Sequence, residues 1–198
     1  MTEMARENKL MTQMGIQISS AFTERLVVSL VQSGAIGKVT RVHSFSSKKW
    51  GDMGPVPQKE DKIPEGFDWD LWLGVAKHRP YIAGYYHPGN WRKRRDFGTG
   101  TFGDMGCHIF SGWYRSLGLT SPLSVVSHGP ASNQNNWAIN AKIDYVFPST
   151  KYTQDGNVSV TWYDGSARPP KEVADLVNGK VPGQGSIIIG TDGVLLAP

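Results

Sequence analysis

The sequence contains little cysteine and no long hydrophobic run. Cys107 is the only cysteine among 198 residues, so no disulfide can form within the chain, and a reducing compartment is expected. No apolar stretch approaches the roughly 20 residues that cross a bilayer. The residues that follow Met1 also lack the apolar core of a secretory signal. The sequence therefore predicts a cytoplasmic protein with no membrane partner.

Acidic residues are fewer than basic ones, and the excess positive charge is concentrated. The net charge is +4 with a pI near 9.2, and residues 92–95 are all basic. Such clusters can bind phosphate backbones. Aromatic residues are not interleaved with them as they are in single-strand binders, so we expect no nucleic-acid partner. The 7 tryptophans and 7 tyrosines favour stacking on sugar rings or packing in a core.

Alternating apolar and polar residues predict several strands. The predicted strands are 38–46, 123–128, 139–147 and 158–162, followed by a hairpin of 187–189 and 194–196 around Asp192-Gly193. Clean alternation is typical of an antiparallel sheet with one packed face. The predicted fold class is therefore α+β, with a large open, mostly antiparallel sheet and helices packed on one face.

Two long helices are predicted to cover that face. The first spans 20–33, where Ser20 can act as the N-cap and Gly34 as the terminator. The second spans 104–118, and shorter helices are predicted at 69–74 and 171–177. Residues 47–97, between the strand 38–46 and the helix 104–118, are mostly irregular. A connection this long within a compact domain is usually functional.

The segment 98–108 carries the clearest chemical signal. Four glycines suggest a loop that passes close to a ligand, and Asp104 and His108 follow at i and i+4, on one face of a helix. Ser111 and Arg115 extend this polar stripe. An acid and a base one turn apart can perform proton transfer. The alternative is that Asp104 interacts with the positive end of the helix and that His108 is structural.

Three other interpretations of this region are weaker. The Gly-x-Gly-x-x-Gly pattern lacks the preceding buried strand of a dinucleotide fingerprint, so we reject a nucleotide loop. His43, His87, His108 and Asp104 show no ligand spacing, so no metal site is predicted. Cys107 points about 100° away from His108 on a helix, and we expect it to pack in the core with Phe110 and Tyr114.

Five ordered motifs resemble one family. Residues 13–15, 31–39, 68–74, 86–92 and 103–108 together resemble the glucose–fructose oxidoreductase / inositol dehydrogenase (Gfo/Idh/MocA) family over essentially the whole chain. The resemblance implies a C-terminal substrate domain at 16–198, with 1–15 as a remnant of the last Rossmann strand and helix, the strand lying near 10–14. The family's nucleotide loop and Glu-Lys-Pro motif are absent. NAD or NADP serves full-length relatives, whereas no cofactor is expected in this chain.

The same resemblance assigns roles to residues. It implies that His108 acts as acid or base at a sugar hydroxyl, that Asp104 orients it or binds sugar, and that Tyr86, Trp91 and Arg92 approach the substrate. His43 is a further candidate, and the cofactor-binding residues are unknown. The open sheet face is expected to form a homo-oligomer. We also expect a carbohydrate-sized hollow beneath the tryptophan-rich segment 47–97.

The sequence is compatible with three functions. The first is the substrate half of a sugar or polyol oxidoreductase, with His108 and Asp104 as the acid–base pair. The second is a cofactor-free glycoside hydrolase or lyase, which needs a second carboxylate; the candidates are Asp68, Asp70 and Asp96. The third is a non-enzymatic oligomerisation or sugar-binding module.

Overall fold

A six-stranded sheet forms the centre of the molecule, in a computed structural model that describes residues 1–198. The strands are β1 Val39–Ser46, β2 Ser124–Ser127, β3 Lys142–Pro148, β4 Asn157–Asp164, β5 Gln184–Gly190 and β6 Val194–Ala197. Their spatial order is β2-β3-β4-β1-β5-β6. Strands β1 and β4 pair in parallel, and the other pairs are antiparallel. The predicted open, mostly antiparallel α+β sheet is confirmed.

Five α-helices accompany the sheet. They are α1 Thr2–Glu7, α2 Phe22–Gln32, α3 Trp69–Leu73, α4 Gly100–Leu117 and α5 Lys171–Asp175, with 3-10 turns at Gln17–Ser20 and Asn90–Lys93. The apolar residues of α2 and α4 share one face of each helix, and those faces pack together on the sheet. None of the helices is long and apolar enough to cross a membrane.

Two details near the chain's start differ from the sequence prediction. Residues 10–14 form neither helix nor strand, so the strand predicted there is absent. Ser20 does not cap α2, because its hydroxyl donates backwards to the Gln17 carbonyl at 3.1 Å within a 3-10 turn. Ala21 is the N-cap instead, and its side chain makes no capping hydrogen bond.

The main core lies between the sheet and the pair α2–α4. Val42, Val160 and Trp162 are fully buried there. Trp113 of α4 reaches β1, where its Nε1 donates to Ser44 Oγ at 3.0 Å. Because neighbouring residues on a strand point to opposite faces, Val42 and Ser44 face the helices and His43 faces away from them.

The second face of the sheet is partly covered. Val173 of α5 packs with Phe45, Tyr163 and Ile187 in a separate apolar cluster. The predicted open face is therefore open only beyond this cluster, towards the β2 edge, where Val126 is 49% exposed.

The segment 47–99 folds mainly on itself. Its aromatic cluster, defined by Trp69, Leu73, Tyr81, Ile82, Tyr85 and Tyr86, forms a small core of its own. Asp68 begins α3 by accepting a hydrogen bond from the Leu71 amide at 2.8 Å. Trp50, ahead of this cluster, is joined to α4 because its amide donates to Thr101 Oγ1 at 2.8 Å.

Candidate functional site

The Asp104 carboxylate is paired with Arg92. Arg92 Nε donates to Asp104 Oδ1 at 2.6 Å, and both side chains remain partly exposed. The 3-10 turn Asn90–Lys93 carries Arg92 towards the first half of α4. Asp104 makes no hydrogen bond to His108, so its direct partner is a guanidinium and not the imidazole one turn away.

Two tryptophans flank the Arg92 guanidinium. Its central carbon lies 4.6 Å from the ring centroid of Trp91 and 5.1 Å from that of Trp50. Aromatic faces attract a cation at these distances. Arg92 Nη2 makes no hydrogen bond within the chain. The arrangement holds a cation and leaves one of its donors free for a ligand oxygen.

His108 lines a cavity of about 160 Å³ between α2, α4 and the end of β6. Its Nδ1 is buried and has no hydrogen-bond partner. Its Nε2 also makes no hydrogen bond, but this atom is not buried. No residue of the tryptophan-rich segment 47–97 lines this cavity, so the expected roof is wrong. The reason is that this segment buries its aromatic rings in its own cluster.

Glu24 of α2 lines the same cavity and was not identified from the sequence. Its side chain is 2% exposed, and Oε1 accepts from Arg115 Nη1 at 2.8 Å and from Ser111 Oγ at 2.7 Å. Oε2 is buried without a partner. The sequence did contain a sign that Glu24 is buried. It precedes the buried residues Val27 and Val31 at i+3 and i+7, which places it on the apolar face of α2.

His43 lies apart from the His108 cavity, on the other face of the sheet. It is 4% exposed, and its Nδ1 is 3.0 Å from the Tyr163 hydroxyl. Burial, helped by the nearby Arg41 charge, lowers the pKa of His43 to about 4. A neutral buried imidazole behind the sheet does not join Asp104 and His108.

Tyr86 is buried inside the aromatic cluster. Its ring packs against Trp69, Tyr85 and Phe97, and only 4% of the residue is exposed. This position favours a packing role. The predicted contact between Tyr86 and substrate stays a prediction.

The basic run 92–95 contains one buried cation, Arg94. It donates to Asp52 Oδ2 and Asn136 Oδ1, each at 2.7 Å, and to the Tyr85 carbonyl at 3.1 Å. Burial acts to raise the pKa of Asp52, but the hydrogen bonds from Arg94 and from the Gly54 amide, together with the charge of Arg94, outweigh it and leave that pKa below its usual value. Arg94 therefore links parts of the segment 47–99 to one another and to Asn136. Its charge is already paired and is not free to bind a phosphate.

The carboxylates proposed for hydrolysis are engaged elsewhere. Asp68 caps α3, Asp70 lies 3.4 Å from His78 at the surface, and Asp96 pairs with Arg79. None of them hydrogen-bonds with Asp104 or His108. No group of three or more His, Cys, Asp or Glu side chains is arranged to hold a metal ion.

The predicted glycine loop is in fact part of α4. Gly100, Gly103 and Gly106 lie within the helix, and a Cβ at Gly106 would lie 3.0 Å from the Phe102 ring. These glycines therefore allow close packing within the helix and beside it. Cys107 is exposed, so its predicted core position is wrong; its Sγ instead lies 3.6 Å from the Asp104 carbonyl.

Comparisons with known proteins agree with this architecture. The family model described as "Oxidoreductase family, C-terminal alpha/beta domain" matches residues 22–166. The crystal structure of an oxidoreductase from Thermotoga maritima matches 99% of this chain with a TM-score of 0.54 and 16% identity. The match spans only 45% of that oxidoreductase, so the likeness concerns the fold of that part. No protein of curated function matches the sequence.

Proposed function

The chain belongs to the Gfo/Idh/MocA oxidoreductase family as its C-terminal alpha/beta domain, and from this premise we propose that it forms the substrate half of a sugar or polyol oxidoreductase. The observation that carries the proposal is the His108 imidazole. It lines a cavity one helical turn from Asp104, with one ring nitrogen unpartnered and the other accessible. A half-buried imidazole beside a cavity suits proton transfer at a hydroxyl.

In this proposal the substrate lies along α4, from the Arg92–Asp104 pair to His108. Arg92 Nη2 and the free lone pairs of Asp104 bind hydroxyl oxygens and hydrogens, and the Trp91 ring packs on the apolar face of the sugar. His108 Nε2 then accepts the proton of the hydroxyl that is oxidised. NAD(P) is the hydride acceptor in the family that the sequence resembles. The proposal for this chain concerns substrate orientation and proton transfer alone.

Calorimetric titration of the chain with a panel of sugars and polyols tests this proposal. We expect saturable binding of at least one member, and a loss of about tenfold or more in Asp104→Asn and in His108→Gln, the usual effect of removing a hydrogen bond to a charged group. Asp70→Asn is the matched control, since Asp70 is an exposed carboxylate paired with a histidine outside the cavity. Absence of binding across the panel, or equal losses in all three variants, would contradict the proposal.

We also propose that a second copy of the chain is its partner, through the uncovered part of the sheet face. Val126 is exposed there, beside the pair of His128 Nε2 and Asp144 Oδ2 at 2.8 Å. Light scattering should give the mass of a dimer or larger assembly, and Val126→Lys should shift it towards the monomer. A monomeric mass for the unaltered chain at high concentration would refute this interface.

A further inference from the structure

The cavity that His108 lines has mainly apolar walls. Its lining includes the side chains of Leu26, Leu30, Ile109 and Leu195. Leu26 and Leu30 are one helical turn apart on α2 and do not pack on the main core, so they are left to face this space. Gly112 also lines the cavity and has no side chain that could fill it. The walls therefore suit an apolar group.

The polar residues of the lining do not change this character. Glu24 Oε2 and His108 Nδ1 are buried atoms, and an atom that faced the empty space would be accessible to water. Thr23 and Gln184 are the other polar side chains of the lining, and both residues are exposed, which places them at its mouth. The interior thus offers few hydrogen-bond partners.

The volume of the cavity indicates the size of the group. It is about 160 Å³, and a cavity of about 150 Å³ lined by Leu, Ile and Phe binds benzene in another protein. A free sugar does not suit such walls, because each of its hydroxyls would lose hydrogen bonds to water without gaining a partner. One aromatic ring, or an apolar group of that size, fits both the volume and the walls.

A polar surface lies one turn away on the same helix. Asp104 does not line the cavity, and it is paired with Arg92, which the Trp91 ring flanks. One turn of α4 separates Asp104 from His108, about 6 Å along the helix axis, which is comparable with the width of a sugar ring. A molecule that spans both parts has a hydroxylated end and an apolar end.

We propose that the His108 cavity is an aglycone subsite. The substrate is then a glycoside whose sugar lies against Arg92 and Asp104, while its aglycone, an apolar ring attached to that sugar, fills the cavity. This inference rests on the proposed function and deepens it by naming the substrate class. The aglycone contributes binding alone, so proton transfer at His108 Nε2 is the same as in the proposed function.

Calorimetric titration with matched pairs of glycosides tests the inference. The probes are the methyl and phenyl β-glycosides of glucose, galactose, mannose and xylose, and the two members of a pair differ only in the aglycone. We expect the phenyl member of at least one pair to bind about tenfold or more tightly than the methyl member, because the ring removes apolar surface from water.

Leu26→Trp tests whether the ring lies in the cavity. Leu26 lines the cavity and is 42% exposed, so a larger side chain can occupy this space without disturbing the core. The variant should lose the preference for the phenyl member. Leu71→Trp is the matched control, because Leu71 is 80% exposed on α3 and lies outside the cavity; it should keep the preference.

Equal affinities within every pair would overturn the inference, and this result does not depend on the folding of any variant. A preference that persists in Leu26→Trp, or that is lost equally in Leu71→Trp, would also overturn it.

Titration with benzyl alcohol, an aromatic ring without a sugar, separates this inference from the proposed function. Glycosides that bind without preferring phenyl would refute the aglycone subsite alone. If no glycoside binds, while benzyl alcohol binds to the unaltered chain and not to Leu26→Trp, the sugar-binding function is refuted and the apolar ring site stands. If neither kind of probe binds, both are refuted.

Discussion

Arg92 Nε lies 2.6 Å from Asp104 Oδ1, and its guanidinium is held between the rings of Trp91 and Trp50. The acid that the helix places one turn before His108 is therefore part of a cation–carboxylate pair. This relationship divides the site into two parts along α4. One part surrounds Asp104 and contains Arg92 and the two tryptophans. The other part is the cavity that His108 and Glu24 both line.

The first prediction concerns Arg92. Because the Arg92–Asp104 pair is partly exposed, Arg92→Gln should change the free energy of unfolding by less than about 1 kcal/mol. It should weaken sugar binding by about tenfold or more, since a charged donor is lost. Urea denaturation and calorimetric titration measure the two effects. Arg95→Gln, a nearby exposed arginine, is the control, and a similar affinity loss there would show that only general charge matters.

The second prediction concerns pH and His43. Its pKa is about 4 in the folded chain, against 6.5 for an ordinary histidine. Between these values the unfolded chain binds the extra proton, so stability falls as the pH drops from about 6.5 towards 4, by up to about 1.4 kcal/mol per pH unit. Above that window His43 contributes no pH dependence.

His43→Gln should remove this part of the slope. The measurement is the difference in unfolding free energy between the variant and the parent at several pH values. His128→Gln is the control, because His128 is half exposed and ion-paired with Asp144. A His43→Gln profile that stays parallel to that of the parent from pH 6.5 down to 4 would contradict a lowered pKa for buried His43.

The third prediction concerns Arg94. Arg94→Met removes the donors that serve Asp52, Asn136 and the Tyr85 carbonyl, so it should destabilise the fold by about 3 kcal/mol. Trypsin should then cut faster after the exposed Lys59 and Lys62, because the segment 47–99 has lost the hydrogen bonds that Arg94 makes and opens more often. Arg95→Met should change neither rate nor stability by a measurable amount. Equal protease resistance in both variants would contradict the anchoring role.

The strands were predictable because half-buried strands alternate in polarity. Ile143, Tyr145 and Phe147 all face the helix side of the sheet, as the period of two requires. The parallel pairing of β1 with β4 was not predictable, since register depends on which strands meet in three dimensions. The start of α4 was missed because glycines resemble a loop in sequence, whereas close contacts such as that of Phe102 with Gly106 explain them.

The site was predictable in part for a related reason. The i, i+4 spacing of Asp104 and His108 is local, so the sequence contains it. Glu24 acts on α4 through Arg115, 91 residues away, and no local spacing connects the two. Arg94 is one of four consecutive basic residues, and nothing in that run distinguishes the buried arginine from its less buried neighbours.

The most direct measurement of the central claim is the NMR signal of the His108 ring during titration with the sugars and polyols of the panel. We expect the His108 signal to shift saturably with at least one of them, while the signals of His43, behind the sheet, and of His128, at its edge, do not move. If His108 stays unchanged with every compound, or if all three histidines move together, the claim that this imidazole contacts a hydroxylated substrate is contradicted.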